Sequence, residues 1–246
     1  MAQLKMLFAY TGKTPSGTNY YSNNYSGLCS TYPMVNAYII TNGKTVSASS
    51  TSEFNQMISG YSGHDDVSIV RCANTLLGYG KNYYITLPLI ESKGDAGNYS
   101  DQYTNLKDYI NRVKNALSSA AWSNCKGFYF LNEIVPGKVS GTSPTSNTFV
   151  KLMNDIAYVI RHDYQKEFIW APYFGYNENF YRINQNNGLI GNRTNIFDMI
   201  LFQSHYYFDP NFSRIIISIP IIRVLPQRRM LSFARALLRR TAYTIL

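Results

Sequence analysis

Gly127-Phe-Tyr-Phe-Leu-Asn-Glu-Ile134 decides how this chain is read. It is a short, continuous apolar run, the pattern of a parallel strand buried on both faces. It ends in an amide and a carboxylate, Asn132 and Glu133. Working outward, similar runs recur at 5–12, 34–41 and 83–91 before it, and at 167–174 and 196–203 after it. Pro88 inside the third run predicts a bulge or an early end there.

Helical patterns fill the gaps. A Ser or Thr cap with Glu53 in the first turn predicts a helix after the second run. A further helix is expected near 65–77, ended by Gly78-Tyr-Gly80. Helix 101–119 carries Leu106, Tyr109, Ile110, Val113 and Leu117 at helical spacing. The next starts near Ser143-Pro144 and continues through Phe149, Leu152, Met153, Ile156, Val159 and Ile160. A short helix is expected at about 178–185. Segment 13–33 reads as a polar loop without helical period.

Strand starts lie 29 to 49 residues apart, the length of a strand plus its crossover. Regular strand–helix alternation gives an eight-fold barrel or an open doubly wound sheet. No Gly-x-Gly-x-x-Gly follows the first strand, which removes the main support for a dinucleotide fold. The expected fold class is therefore α/β, a (β/α)8 TIM-type barrel. It is incomplete, since six β/α units are recognisable.

The 246 residues are 45% hydrophobic and only 15% charged, enough to bury a sizeable core. Aromatics reach 15%, mostly through 22 tyrosines, whose apolar face and polar tip suit both sheet cores and sugar stacking. Cys29, Cys72 and Cys125 are far apart and odd in number, and read as buried free thiols rather than a zinc or disulfide framework. The expected metal and cofactor content is none. Met1 to Phe8 lacks the form of a signal peptide, so the chain is expected to be cytoplasmic, or secreted with its signal removed.

The net charge of +9 is unevenly placed. Up to Ser213 there are 11 Lys and 5 Arg against 14 acids; from Arg214 onward there are 7 Arg and no acid. A nearly neutral body argues against nucleic-acid binding. Two regions follow: 1–210, the barrel, and 211–246, an atypical basic and apolar tail. Three readings of the tail stand side by side: out-of-frame translation, a basic helix for an acidic membrane surface, or a divergent end of the fold.

Barrels place function at the carboxyl ends of their strands. Those ends carry Tyr10 and Thr11, Thr41 and Asn42, Glu91, Asn132 and Glu133, Tyr173 and Tyr176, then Gln203, His205 and Tyr206. The set is polar, aromatic and short of cations, which suits a neutral polyhydroxylated ligand. Glycoside cleavage needs a proton on the departing oxygen and a second carboxylate to attack or to activate water. A glutamate held among rim aromatics suits the proton donor. Glu133 is the first candidate for it, and a cap or a pairing with Lys138 is the plainer reading. Tyr173, Tyr176 and Tyr206 are candidate stacking platforms, His205 a hydroxyl or carboxylate partner, and Trp170 a core residue. Asp198 lies at the wrong end of its strand and reads as structural.

Phe128 to Glu133, with Asn132-Glu133 at the end of the fourth strand, resembles clan A glycoside hydrolases. Ala171-Pro-Tyr-Phe174 and Phe197-Asp-Met-Ile-Leu-Phe-Gln203 are similar to strands of uncharacterised bacterial glycosidase-like barrel domains. The likeness spans roughly residues 5–210. It implies an acid/base role for Glu133 and a sugar-binding role for Asn132. It also implies a second carboxylate on strand seven, a strand not recognisable here. Glu91 is then the in-chain substitute, its plain alternative being a salt bridge with Lys93. The expected function is a glycoside hydrolase acting on a poly- or oligosaccharide, with Glu133 and Glu91 catalytic. Asn132, Tyr10, Asn42, Tyr173, Tyr176, Gln203, His205 and Tyr206 are expected to bind substrate. The alternatives are a non-catalytic carbohydrate-binding barrel and a peripheral membrane protein that uses the tail.

Overall fold

Six short strands form one parallel sheet in simple sequence order, in a computed structural model that describes residues 5–12, 24–60, 68–94, 97–135, 148–174, 181–191, 193, 195–201, 203–204 and 221–223. They are β1 (Met6–Thr11), β2 (Ala37–Asn42), β3 (Asn82–Thr86), β4 (Cys125–Phe130), β5 (Glu167–Trp170) and β7 (Met199–Leu201). Neighbours run β1-β2-β3-β4-β5-β7, all parallel. A doubly wound sheet reverses its order at a switch point, and none occurs here. The sheet curls into a half-barrel.

The two faces are covered differently. Tyr38, Ile40, Tyr83, Ile85, Phe128, Phe130, Phe168 and Trp170 pack with residues of the helices in one core cluster. The alternate residues Ala37, Ile39, Tyr84, Tyr129, Ile169 and Met199 form a second, inner cluster that holds no helical residue. Helices on one face and an apolar inner layer on the other is barrel architecture rather than a three-layer sandwich. All six positions of β2 are buried, which explains its unbroken apolar run.

The helices on the outer face are α1 (Tyr25–Thr31), α2 (Phe54–Ser59), α3 (Ile69–Gly78), α4 (Ser100–Ala116), α5 (Ser119–Asn124), α6 (Thr148–Tyr158) and α7 (Tyr181–Gly191). On α4, Leu106, Tyr109, Ile110 and Val113 are fully buried, as their spacing predicts. Each such side chain contributes roughly 1.5–3 kcal/mol. The Ser68 side chain caps α3 by accepting from Arg71 N at 3.1 Å. The three cysteines are free and buried.

Several expectations need correcting. Segment 13–33 contains α1, whose Asn24 cap accepts from Gly27 N. The element after β2 opens as a 3-10 turn, Thr51–Glu53, without a side-chain cap bond; Glu53 pairs with Lys44 instead. The third strand stops at Thr86, two residues before Pro88, the early end that the proline predicts. Helix α7 is longer than the 178–185 expected. The fifth run divides into β5 and β6 (Tyr173–Phe174), and β6 pairs with β8 (Gln203–Ser204) in a separate two-stranded sheet.

The far edge of β7 does not carry another parallel strand. It carries β9 (Ile221–Arg223) in antiparallel register, Ile200 facing Ile222. A closed (β/α)8 barrel is therefore not what the described residues form. Residues 221–223 of the tail supply a strand to the sheet. Among the described residues no helix is long and apolar enough to cross a membrane.

Candidate active site

Successive residues of a strand point to opposite faces. On β4, Phe128 and Phe130 lie in the helix-side core, while Tyr129 and Leu131 belong to the inner layer. Asn132 and Glu133 follow beyond the strand, Glu133 at a bend. The Asn132 carboxamide is bonded to the main chain of Ile90: Oδ1 accepts from Ile90 N at 2.9 Å and Nδ2 donates to Ile90 O at 2.7 Å. Burial, then the charge of Glu133 and of Tyr10, hold the Tyr129 phenol above its ordinary 10.0. Glu133 thus acts on a residue of the inner layer.

Glu91 is held the same way by a second amide. Gln102 of α4, 0% exposed, accepts from Glu91 N at 2.8 Å and donates to Glu91 O at 3.0 Å. One carboxamide reaches both the N–H and the C=O of a residue only where these point the same way, as in extended chain. Residues 90 and 91 are therefore extended, with amides on their two edges. Ile90 is buried in the helix-side core, so Glu91 projects to the other side. Both carboxylates are exposed. Lys93, the alternative partner for Glu91, pairs with Asp101 at 2.5 Å.

A third amide fixes the Glu133 main chain. Its carbonyl accepts from Tyr173 N at 2.9 Å and from Asn187 Nδ2 at 2.9 Å. Asn187, fully buried on α7, also donates to Tyr173 O at 2.7 Å and accepts from Val135 N at 3.1 Å. Trp170, fully buried, donates from Nε1 to Asn132 O at 2.7 Å, in keeping with its core reading.

Below the two glutamates, strand register aligns a row of hydroxyls on the inner face. Tyr10 faces Thr41, and Thr86 faces Tyr129. Thr41 and Thr86 lie one residue beyond the paired Ile40 and Ile85. The Thr86 hydroxyl is buried without a hydrogen-bond partner. Asn42, only 8% exposed, donates to Lys44 O at 2.8 Å. Its Oδ1 presses on Gly12, where a Cβ would come within 2.0 Å; Gly12 also has φ +73. Asn42 therefore ties the turn after β2, and it is the positive φ of Gly12 that calls for glycine at that position.

Tyr173 is partly buried, and its main chain pairs with that of Gln203. Tyr176, His205 and Tyr206 lie outside the described residues. Asp198 accepts from Arg161 Nε at 3.0 Å and from Phe168 N at 2.8 Å, a structural tie at the amino-terminal side of β7, as expected.

The reading of the sequence missed Gln102, Asn187, Thr86 and Tyr129. Tyr129 was available from the period of two on β4. Gln102 was available too, since it shares a helix face with Leu106, Tyr109 and Val113, an amide in an apolar stripe. Nothing in the local pattern marks Asn187.

No protein-family model and no curated protein matches the sequence. Among solved structures, the chain is similar to the CcCel6A catalytic domain complexed with p-nitrophenyl beta-D-cellotrioside, at 12% identity and a TM-score of 0.43. That match covers 68% of this chain and 52% of the other, so this chain spans about half the length of that domain.

Proposed function

We propose that the protein cleaves O-glycosidic bonds of a poly- or oligosaccharide, with Glu133 as proton donor and Glu91 as the second carboxylate. What supports this is that both glutamates follow the carboxyl ends of adjacent parallel strands, β3 and β4, and are exposed. Adjacent strands lie roughly 5 Å apart, and glycoside cleavage uses carboxyl groups about 5–10 Å apart. Glu133 gives its proton to the departing glycosidic oxygen as that bond breaks. Glu91 attacks the anomeric carbon, or takes a proton from the water that does so. Tyr10 and Tyr173 would give sugar hydroxyl and aromatic groups, and Gln203, Tyr176, His205 and Tyr206 are proposed to join them.

The test is a screen of the full chain against soluble polysaccharides and p-nitrophenyl glycosides of both anomers, with release of reducing ends or nitrophenol as the readout. Release from at least one substrate, lost in Glu91→Gln, is the expected result. Release unaffected by Glu91→Gln removes that residue from the mechanism. The second reading, a carbohydrate-binding barrel without catalysis, is favoured by the exposure of both carboxylates. Sugar binding by calorimetry with no release from any substrate establishes it in place of the first.

A further inference from the structure

We infer that three carboxamides, the buried Gln102 and Asn187 and the half-buried Asn132, are positioning residues that hold the two glutamates in fixed relation. This rests on the catalytic reading proposed above. Gln102 bonds both main-chain groups of Glu91. Asn132 bonds both main-chain groups of Ile90, tying the chain beyond β3 to the end of β4. Asn187 bonds the carbonyls of Glu133 and Tyr173 and the N–H of Val135. Each amide comes from a different part of the fold, so the frame joins α4, the segment after β4 and α7 around the two residues.

The reason for such a frame lies in the chain around the glutamates. Regular pairing of β3 ends at Thr86 and that of β4 at Phe130. Residues 90–91 and 133 thus lie beyond the sheet ladder, where backbone groups need other partners. Side-chain amides supply one donor and one acceptor side by side, the pattern a neighbouring strand would offer. They supply bonds beyond the last paired residues of β3 and β4. A site must be held to within about 0.5 Å by its supporting groups, and a misplacement of about 1 Å costs on the order of 100-fold in rate. The same geometry gives Asn132 a task other than touching sugar, because its Oδ1 and Nδ2 both serve Ile90.

The experiment compares Gln102→Met, Gln102→Glu and Asn105→Ala in the full chain. Asn105 is a control on the same helix: its Nδ2 donates to Ala48 O at 2.9 Å and touches neither glutamate. Amide hydrogen exchange at Glu91 is read alongside kcat and KM on the p-nitrophenyl glycoside that the wild type turns over fastest. Gln102→Met is expected to speed exchange at Glu91 and lower kcat about 10- to 100-fold, with KM changed less than about threefold. Gln102→Glu keeps the acceptor for Glu91 N and loses the donor to Glu91 O, so it falls between wild type and Gln102→Met. Asn105→Ala keeps the wild-type kcat even where it loses as much thermal stability. Unchanged exchange at Glu91 in Gln102→Met overturns the frame. Faster exchange with unchanged kcat leaves a structural tie only and overturns the positioning role. A wild type that turns over no substrate overturns the catalytic reading itself, and this role with it.

Discussion

At the scale of single residues, the inner face shows how one missing side chain creates a contact. Tyr84, Gly127 and Glu167 share one register row across β3, β4 and β5. The Tyr84 hydroxyl crosses β4 above Gly127 and donates to Glu167 Oε2 at 2.5 Å. A Cβ at Gly127 would meet the Glu167 carbonyl at 1.9 Å, backbone that has no room to give. Gly127→Ala is therefore expected to cost about 1–3 kcal/mol or more, read from the urea midpoint. A midpoint within experimental error of wild type would show that β4 and β5 move apart at no cost. The Asn132-Glu133 pair was legible as a strand end, and Glu133 as its exposed acid. The task of Asn132 was not, because a dipeptide does not say which main-chain groups its amide reaches.

At the scale of elements, α4 was the most legible. Its buried residues fall at helical spacing, and the same face carries Gln102, which reaches the Glu91 main chain. Leu106→Ala is expected to cost about 2–5 kcal/mol, as a buried leucine leaving a cavity. Asn115→Ala, exposed on the other side of the helix, should stay within about 0.5 kcal/mol. Denaturation of the two variants checks this, and equal losses would contradict the assigned face. Helix α1 was illegible for a physical reason. It spans seven residues, two of them buried, and its start is set by the Asn24 side chain rather than by an apolar period. Pro88, by contrast, was a sound signal, since β3 ends before it.

At the scale of the molecule, strand order and two-faced burial were legible as alternation and as continuous apolar runs. The expected closure was not, because β9 comes from the tail and runs antiparallel. Its pairing with β7 covers an edge that would otherwise offer unpaired N–H and C=O groups. A chain ending at Ser213 is expected to melt lower and to self-associate on gel filtration. Equal melting and a monomer peak would show that the tail adds nothing to the fold. Part of the tyrosine excess fills the core: Tyr25, Tyr38, Tyr83 and Tyr109 are fully buried or nearly so.

Those buried acids set the behaviour of the whole fold in alkali. Burial pushes the Cys125 thiol from 9.0 up to about 12. It also raises Tyr83, Tyr84 and Tyr109 above their ordinary 10.0. An acid whose folded value lies above its unfolded one favours the folded state fully below the unfolded value. That advantage is lost as pH rises toward the folded value. Thermal stability is expected to hold to about pH 9 and to fall steadily from there to about pH 12. A melting temperature that does not move across that window would contradict the burial of these groups.

In the proposed mechanism Glu133 donates a proton to the departing glycosidic oxygen. The most direct measurement is turnover and binding by Glu133→Gln on the best substrate of the wild type. Glutamine keeps the shape and removes the proton, so hydrolysis should fall by roughly 100-fold or more while the binding constant stays close to that of the wild type. Turnover within about threefold of the wild type would mean that the proton comes from elsewhere, and that the site at the end of β4 is not a catalytic one.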